Sequence, residues 1–228
     1  MDVLRTPDHR FSGLPDWPYE PHYTEVSDGD GGTLRVHHAE DGPADGPTVL
    51  LLHGEPTWGY LYRKMMPALA KAGIRSLVPD QVGFGRSDKP ADRGDYSYQR
   101  HVDWMQGWLD ATGTEPLFFF GQDWGGLIGL RLVATDPERF AGLVVSNTGL
   151  PDGGGKPNDA FMAWQRFSQT SEEFPIGRII TGGCLSELPP DVIDAYDAPF
   201  PDDTFKEGAR IWPTLVPTSA NDPAVPSN

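Results

Sequence analysis

Four short, mainly apolar runs mark the first two thirds of the chain: Thr48–Leu52, Ile74–Val78, Leu117–Phe120 and Phe140–Val145. The first and third are continuous, which suits strands buried on both faces and so predicts a parallel sheet. Segments with helical spacing lie between them. Pro67–Ala72 stops at Gly73. Ser97–Ala111 places Val102, Met105, Trp108 and Leu109 on one face and stops before Gly113. Gly125–Thr135 stops at Asp136-Pro137. Strand alternating with helix predicts an α/β sheet with right-handed crossovers. An earlier strand is expected over Thr33–His38, and residues 1–32 carry little pattern.

The rhythm changes after Asn147. Residues 150–217 show short helical patterns broken by Gly and Pro: Asp159–Gln169, Ile176–Ile180, Asp191–Ala195 and Thr204–Ile211. They predict a helical layer over the carboxyl edge of the sheet. The expected organisation is a core over 1–149, a helical cap over 150–217 and a disordered polar tail over 218–228.

Composition narrows the class. Of 228 residues, 38% are hydrophobic and 22% charged, enough apolar material for a packed core. The 27 Gly and 23 Pro show no period, so they read as turn punctuation. A formal charge of −15 repels phosphate backbones and argues against a nucleic-acid partner. No apolar run approaches the ~20 residues of a membrane helix. Met1–Arg5 lacks the apolar stretch of a signal peptide. The single cysteine, Cys184, has no internal partner. Together these features lead us to expect a cytoplasmic protein in which Cys184 is a spectator.

In open α/β sheets ligands bind beyond the carboxyl ends of strands, so the residues after each apolar run carry the candidate chemistry. Gly121-x-Asp123-x-Gly125 lies between a strand and a helix. It has the spacing of a nucleophile elbow with Asp in place of the usual Ser. Asp123 could equally be a simple N-cap. The strand ending in His53-Gly54, about 70 residues earlier, favours the elbow, because that strand end supplies an oxyanion N–H in such a fold. An elbow carboxylate points to displacement at a saturated carbon. Serine would leave an ether there, whereas Asp leaves an ester that water can open. No base is needed for the first step, since a free Asp has a pKa of ~3.9 and a helix N-terminus favours the anion.

The motifs HGEPTW (53–58), LYRKM (61–65), DQVGFGRSDKP (80–90) and GQDWGG (121–126) together resemble the haloalkane dehalogenase family, in the subfamily that reads HGEPTW. The resemblance runs from about residue 22 to residue 217. It implies an α/β-hydrolase core under a helical cap, no cofactor and no metal. It also implies hydrolysis of small apolar haloalkanes to a primary alcohol, halide and a proton through an ester on Asp123; a monomer is our expectation. Asp123 would be the nucleophile, and the backbone N–H groups of Glu55 and Trp124 the oxyanion hole. Trp124 and Trp164 would bind halide, and Phe161 and Leu127 would line the pocket. Trp164 could instead be a cap-core aromatic, and the Glu55 side chain an ordinary charge rather than a neighbour of the hydrolytic water. Gly83–Ser87 lacks the Lys and spacing of a phosphate loop.

The catalytic acid and base of the family are missing from their expected places. The base is a His late in the chain, but His9, His22, His37, His38, His53 and His101 all precede Asp123. Asn147 stands where a sister subfamily has its acid, and the strand preceding the other subfamily's acid is not found. The chain thus resembles the first three quarters of a dehalogenase, expected to be alkylated once without turning over. Two alternatives stay open: an epoxide hydrolase, for which the cap offers only Tyr196, and a non-catalytic hydrolase-fold binder or remnant.

Overall fold

Every residue from Thr48 to Leu52 is buried, as expected of an apolar run with a strand on each side. The computed structural model describes residues 1–113, 116–155 and 157–228. Among these the strands are β1 (Val3–Leu4), β2 (His22–Ser27), β3 (Thr33–Asp41), β4 (Thr48–Leu52), β5 (Arg75–Pro79), β6 (Lys89–Pro90), β7 (Leu117–Gln122) and β8 (Phe140–Ser146). Six form one sheet in the order β2-β3-β5-β4-β7-β8. β5, β4, β7 and β8 are parallel, whereas β3 runs against β5 and β2 against β3. β1 and β6 pair as a separate antiparallel ribbon.

The crossover helices are α1 (Met65–Lys71), α2 (Tyr98–Thr112) and α3 (Trp124–Thr135). Helix α2 follows its sequence signals: Ser97 Oγ accepts from the Arg100 N–H at 3.1 Å, and Gly113 closes the helix at φ 62°. The expected strands and helices of the core are therefore present, in a mostly parallel sheet wound with helices. The polar N-terminal region adds β1 and β2, which the pattern did not show. Only Val26 of β2 is buried, so this edge strand has almost no apolar periodicity to read.

Beyond β8 lie α4 (Asp159–Thr170), α5 (Ile176–Gly182), α6 (Pro190–Asp197) and α7 (Glu207–Leu215). This layer is tied to the core by directed bonds. Trp58 Nε1 donates to the Ala195 carbonyl at 3.1 Å, and Thr6 Oγ1 to that of Pro199 at 2.6 Å. Helix α7 runs past the expected end at Ile211 and carries Pro213 inside it. The last residues are not the disordered tail that their composition predicts. They close in a 3-10 turn at Val225–Ser227, and Asn228 Nδ2 donates to the Pro151 carbonyl at 2.8 Å.

Candidate active site

β7 ends at Gln122 and α3 begins at Trp124, so Asp123 makes the turn alone, at φ 53° and ψ −129°. L-residues avoid that conformation unless their surroundings impose it. Here the surroundings do. A methyl group on Gly125 would meet the His53 carbonyl oxygen at 2.7 Å, and one on Gly54 would overlap the Asp123 carboxyl group. Thr148 Oγ1 donates to the Asp123 carbonyl at 2.7 Å and holds the turn from β8's end. Asp123 occupies the N-cap position but its side chain makes no capping bond, so the simple capping role falls away. Its Oδ1 accepts from the Glu55 N–H at 2.8 Å, and the Trp124 N–H also bonds the carboxylate.

Asp123 and Glu55 line a cavity of about 430 Å3. Leu61, Ile179 and Ile180 give it apolar walls, while Trp164 and Cys184 also reach it. Burial raises the Asp123 carboxyl above the ordinary carboxylate range, and the N–H groups of Trp124 and Glu55 pull it part of the way back. This qualifies the expectation of a freely ionised Asp, since the same enclosure that excludes water disfavours the anion. Glu55 is raised well above its ordinary value, first by burial and then by the Asp123 charge, with a hydrogen bond from the Trp164 side chain acting against both. Its Oε1 is buried without a partner. Both carboxyl groups line one enclosed cavity, and enclosure there disfavours their charged forms.

The structure brings Asp123, Glu55 and Trp164 to one cavity. Trp124, beside Asp123 in sequence, is 3% exposed, its ring 5.1 Å from those of Tyr98 and Trp212. Two expected pocket residues lie elsewhere. Phe161 sits in the first turn of α4, where its N–H is taken by Asn158 Oδ1. It lines a different cavity, with Pro151, Val216 and Pro217. Leu127 is packed into the core from an α3 that is apolar nearly all round, and is not part of the wall. Sequence reading missed Leu61, Ile179, Ile180 and Cys184 as lining residues. Leu61 lay inside a quoted motif, and Ile179 and Ile180 inside an expected helix. Cys184, read as a spectator, is exposed at this cavity.

No histidine lines the cavity among the described residues. His53 is fully buried: its Nδ1 lies 3.1 Å from the Gly54 carbonyl, and its Nε2 accepts from the Gln81 N–H at 3.0 Å. His37 bonds Asp80 Oδ2 at 2.7 Å, and His101 accepts from Trp212 Nε1. Asn147 is exposed. Tyr196 turns to Arg63, whose Nη1 donates to its hydroxyl at 3.0 Å, and does not reach the cavity. Among the described residues no group of three or more His, Cys, Asp or Glu could hold a metal ion, and no helix is long and apolar enough to cross a membrane.

A profile of the alpha/beta hydrolase fold matches residues 47–177. The haloalkane dehalogenase of Psychrobacter cryohalolentis is 54% identical over all 228 residues, which span 75% of its length. That of Mycolicibacterium paratuberculosis is 51% identical, with 76% of its length spanned. Among solved structures, haloalkane dehalogenase DpaA from Paraglaciecola agarilytica NO2, described as tetrameric, superposes with a TM-score of 0.90. It is 35% identical, and the match covers 100% of this chain and 76% of that one. DbeA from Bradyrhizobium elkani USDA94 follows with a TM-score of 0.76 and 26% identity over 91% and 73% of the two chains. With its elbow carboxylate, its paired N–H donors and these relatives, the chain belongs to the haloalkane dehalogenase family of α/β-hydrolase-fold enzymes.

Proposed function

We propose that Asp123 is the nucleophile of this dehalogenase. One carboxylate oxygen attacks the halogen-bearing carbon. The carbon–halogen bond breaks with its electron pair leaving on the halide, and an alkyl ester remains on Asp123. The observation that carries this reading is the grip on the carboxylate: a strained turn presents it to an apolar-walled cavity, and two backbone N–H groups hold it. Those groups are equally placed to stabilise the oxyanion when water adds to the ester carbonyl.

Halide departure needs donors without competing lone pairs, and an indole N–H meets that need. Trp164 at the cavity and Trp124 beside the nucleophile are assigned that role. Phe161 and Leu127 are not assigned to the pocket. The substrate is a small haloalkane suited to a cavity with apolar walls, acted on by a monomer. The exposed Cys184 thiol suits a reducing compartment such as the cytoplasm.

The second half-reaction needs a base to take a proton from water, and among the described residues no histidine lines the cavity. The 228-residue chain is therefore assigned one alkylation and one halide release per molecule. Incubation with a primary bromoalkane followed by intact mass measurement and peptide mapping tests both points. One stoichiometric alkyl adduct at Asp123 supports the reading. Steady turnover overturns the single-event assignment. A melting shift with no adduct overturns the nucleophile and supports a binder.

A further inference from the structure

We infer that Trp212 is the positioning residue for the Trp124 indole, set in place by its hydrogen bond to His101. This rests on the reading of Trp124 as a halide donor and extends it to a residue of α7 that does not line the cavity.

Trp212 has no exposed surface, and four separate chain segments meet on it. Its ring lies 5.1 Å from Trp124 at an interplanar angle of 34° and 4.2 Å from Phe84, in the loop after β5. His101 of α2 stands edge-on at 4.8 Å, and His53 at the end of β4 is stacked at 6.5 Å. Tyr98 meets the Trp124 ring edge-on, 83° from its plane, and its hydroxyl is fixed on the Leu127 carbonyl at 2.7 Å. Trp124 thus has a ring on two sides and little freedom to tilt.

What fixes Trp212 is its one polar atom. Its Nε1 donates to His101 Nε2, a bond that joins the helical layer to the core. Burial pushes His101 down to about 3, so the ring stays neutral and keeps an acceptor nitrogen. His101 Nδ1 is buried without a partner, so among the described residues the imidazole's side-chain bond is the one that orients Trp212. An indole packed without that bond could rotate in its slot and let Trp124 tilt with it. A misdirected donor acts on the departing halide, and so on the rate of alkylation rather than on substrate entry.

The experiment is single-turnover alkylation of the 228-residue chain by matched 1-bromo- and 1-chloroalkanes, followed by intact mass. Trp212→Phe keeps the ring and removes the donor, His101→Leu removes the acceptor, and His101→Gln restores one. In Trp212→Phe and His101→Leu the limiting rate constant should fall about fivefold or more. The amplitude and half-saturating concentration should hold, and chloride should suffer more than bromide. His101→Gln should recover most of the rate, and the double variant Trp212→Phe/His101→Leu should be no slower than the slower single. A fall in amplitude at an unchanged rate constant, or parent rates in both variants, overturns the inference and leaves the Asp123 reading intact. If Trp212→Phe fails to fold, the His101 pair decides alone. Absence of any adduct in the unsubstituted chain overturns the Asp123 reading and this inference with it.

Discussion

The Glu55 N–H and the Asp123 carboxylate lie 2.8 Å apart across 68 positions of sequence. The strand ends of β4 and β7, adjacent in the sheet, make that meeting possible. A carboxylate held this way needs its charge for nucleophilic attack, and an amide at the same place has no comparable nucleophile. Asp123→Asn should therefore fold, since the amide oxygen still accepts from the Glu55 N–H. It should show no alkyl adduct by intact mass under conditions that label the parent completely. Labelling of Asp123→Asn at the parent rate would place the nucleophile elsewhere.

Glu55 supplies a pH dependence. Asp123 is raised above the ordinary range and Glu55 well above it. As pH rises Asp123 ionises first, and alkylation speeds up. When Glu55 follows, its charge tightens the hydrogen bond it already accepts from Trp164 and repels the departing halide, and alkylation slows. The parent should give a bell-shaped profile of single-turnover rate against pH. Glu55→Gln mimics the neutral acid, so it should lie within ~2-fold of the parent on the rising limb and lose the falling limb. An identical profile for both would remove Glu55 from the reaction.

The elbow was legible because its parts are consecutive. Gly121, Asp123 and Gly125 sit in one strand–turn–helix, and their residue types follow from the turn's geometry. Gly54 and Glu55 were readable for the same reason at the end of β4. The rest of the site depends on packing between distant segments. Nothing local told that Phe161 would face Pro151, Gly153 and Pro157 while Trp164, three residues on, reached Glu55. Trp212 carried no signal beyond its place on an amphipathic helix, because its partners come from α2, α3 and the loop after β5. β2 was hidden because an edge strand with one buried residue carries almost no period.

The elbow's strain gives a stability prediction. Gly125 faces the Leu52 and His53 carbonyls with no room for a methyl group, and both oxygens belong to backbone that cannot swing away. Gly125→Ala should lower stability by about 3 kcal/mol or more, or leave the chain insoluble. Gly149→Ala meets nothing within 4 Å and should be close to neutral. Thermal melting of the two side by side checks this, and equal melting temperatures would contradict the close approach.

His38 sets an acid limit. Its ring is stacked on His22 at 5.1 Å and meets the edge of Trp108 at 5.4 Å. Its Nδ1 is buried without a partner. Burial first, then the charges of His22 and His37, lower it from 6.5 to about 4. The folded chain therefore binds fewer protons at this ring than the unfolded chain between those values, and stability drops as pH falls through that window. His38→Gln removes the titration while keeping a polar side chain. It should lose less melting temperature than the parent between pH 7 and pH 4.5. His101, lowered to about 3, adds a parallel slope that both proteins share, so the difference isolates His38.

The outer edge of the sheet makes the last prediction. Leu143, Val144 and Val145 of β8 are 49%, 58% and 44% exposed, and Phe118 on β7 beside them is 45% exposed. Below them a cavity of about 170 Å3 is walled by Val49, Leu69 and Phe119. Among the described residues β8 pairs with β7 alone, so its other edge offers backbone donors and acceptors beside apolar side chains. That combination favours strand-to-strand association. The net charge of −15 opposes it, and salt screens that repulsion. The 228-residue chain should therefore elute at a mass that grows with concentration, and more steeply in 0.5 M salt than in low salt. Val144→Lys places a charge in the centre of the patch and should restore monomer elution without changing the single-turnover rate at Asp123. Elution of the parent as monomer at all concentrations and salts would mean that this surface does not drive association.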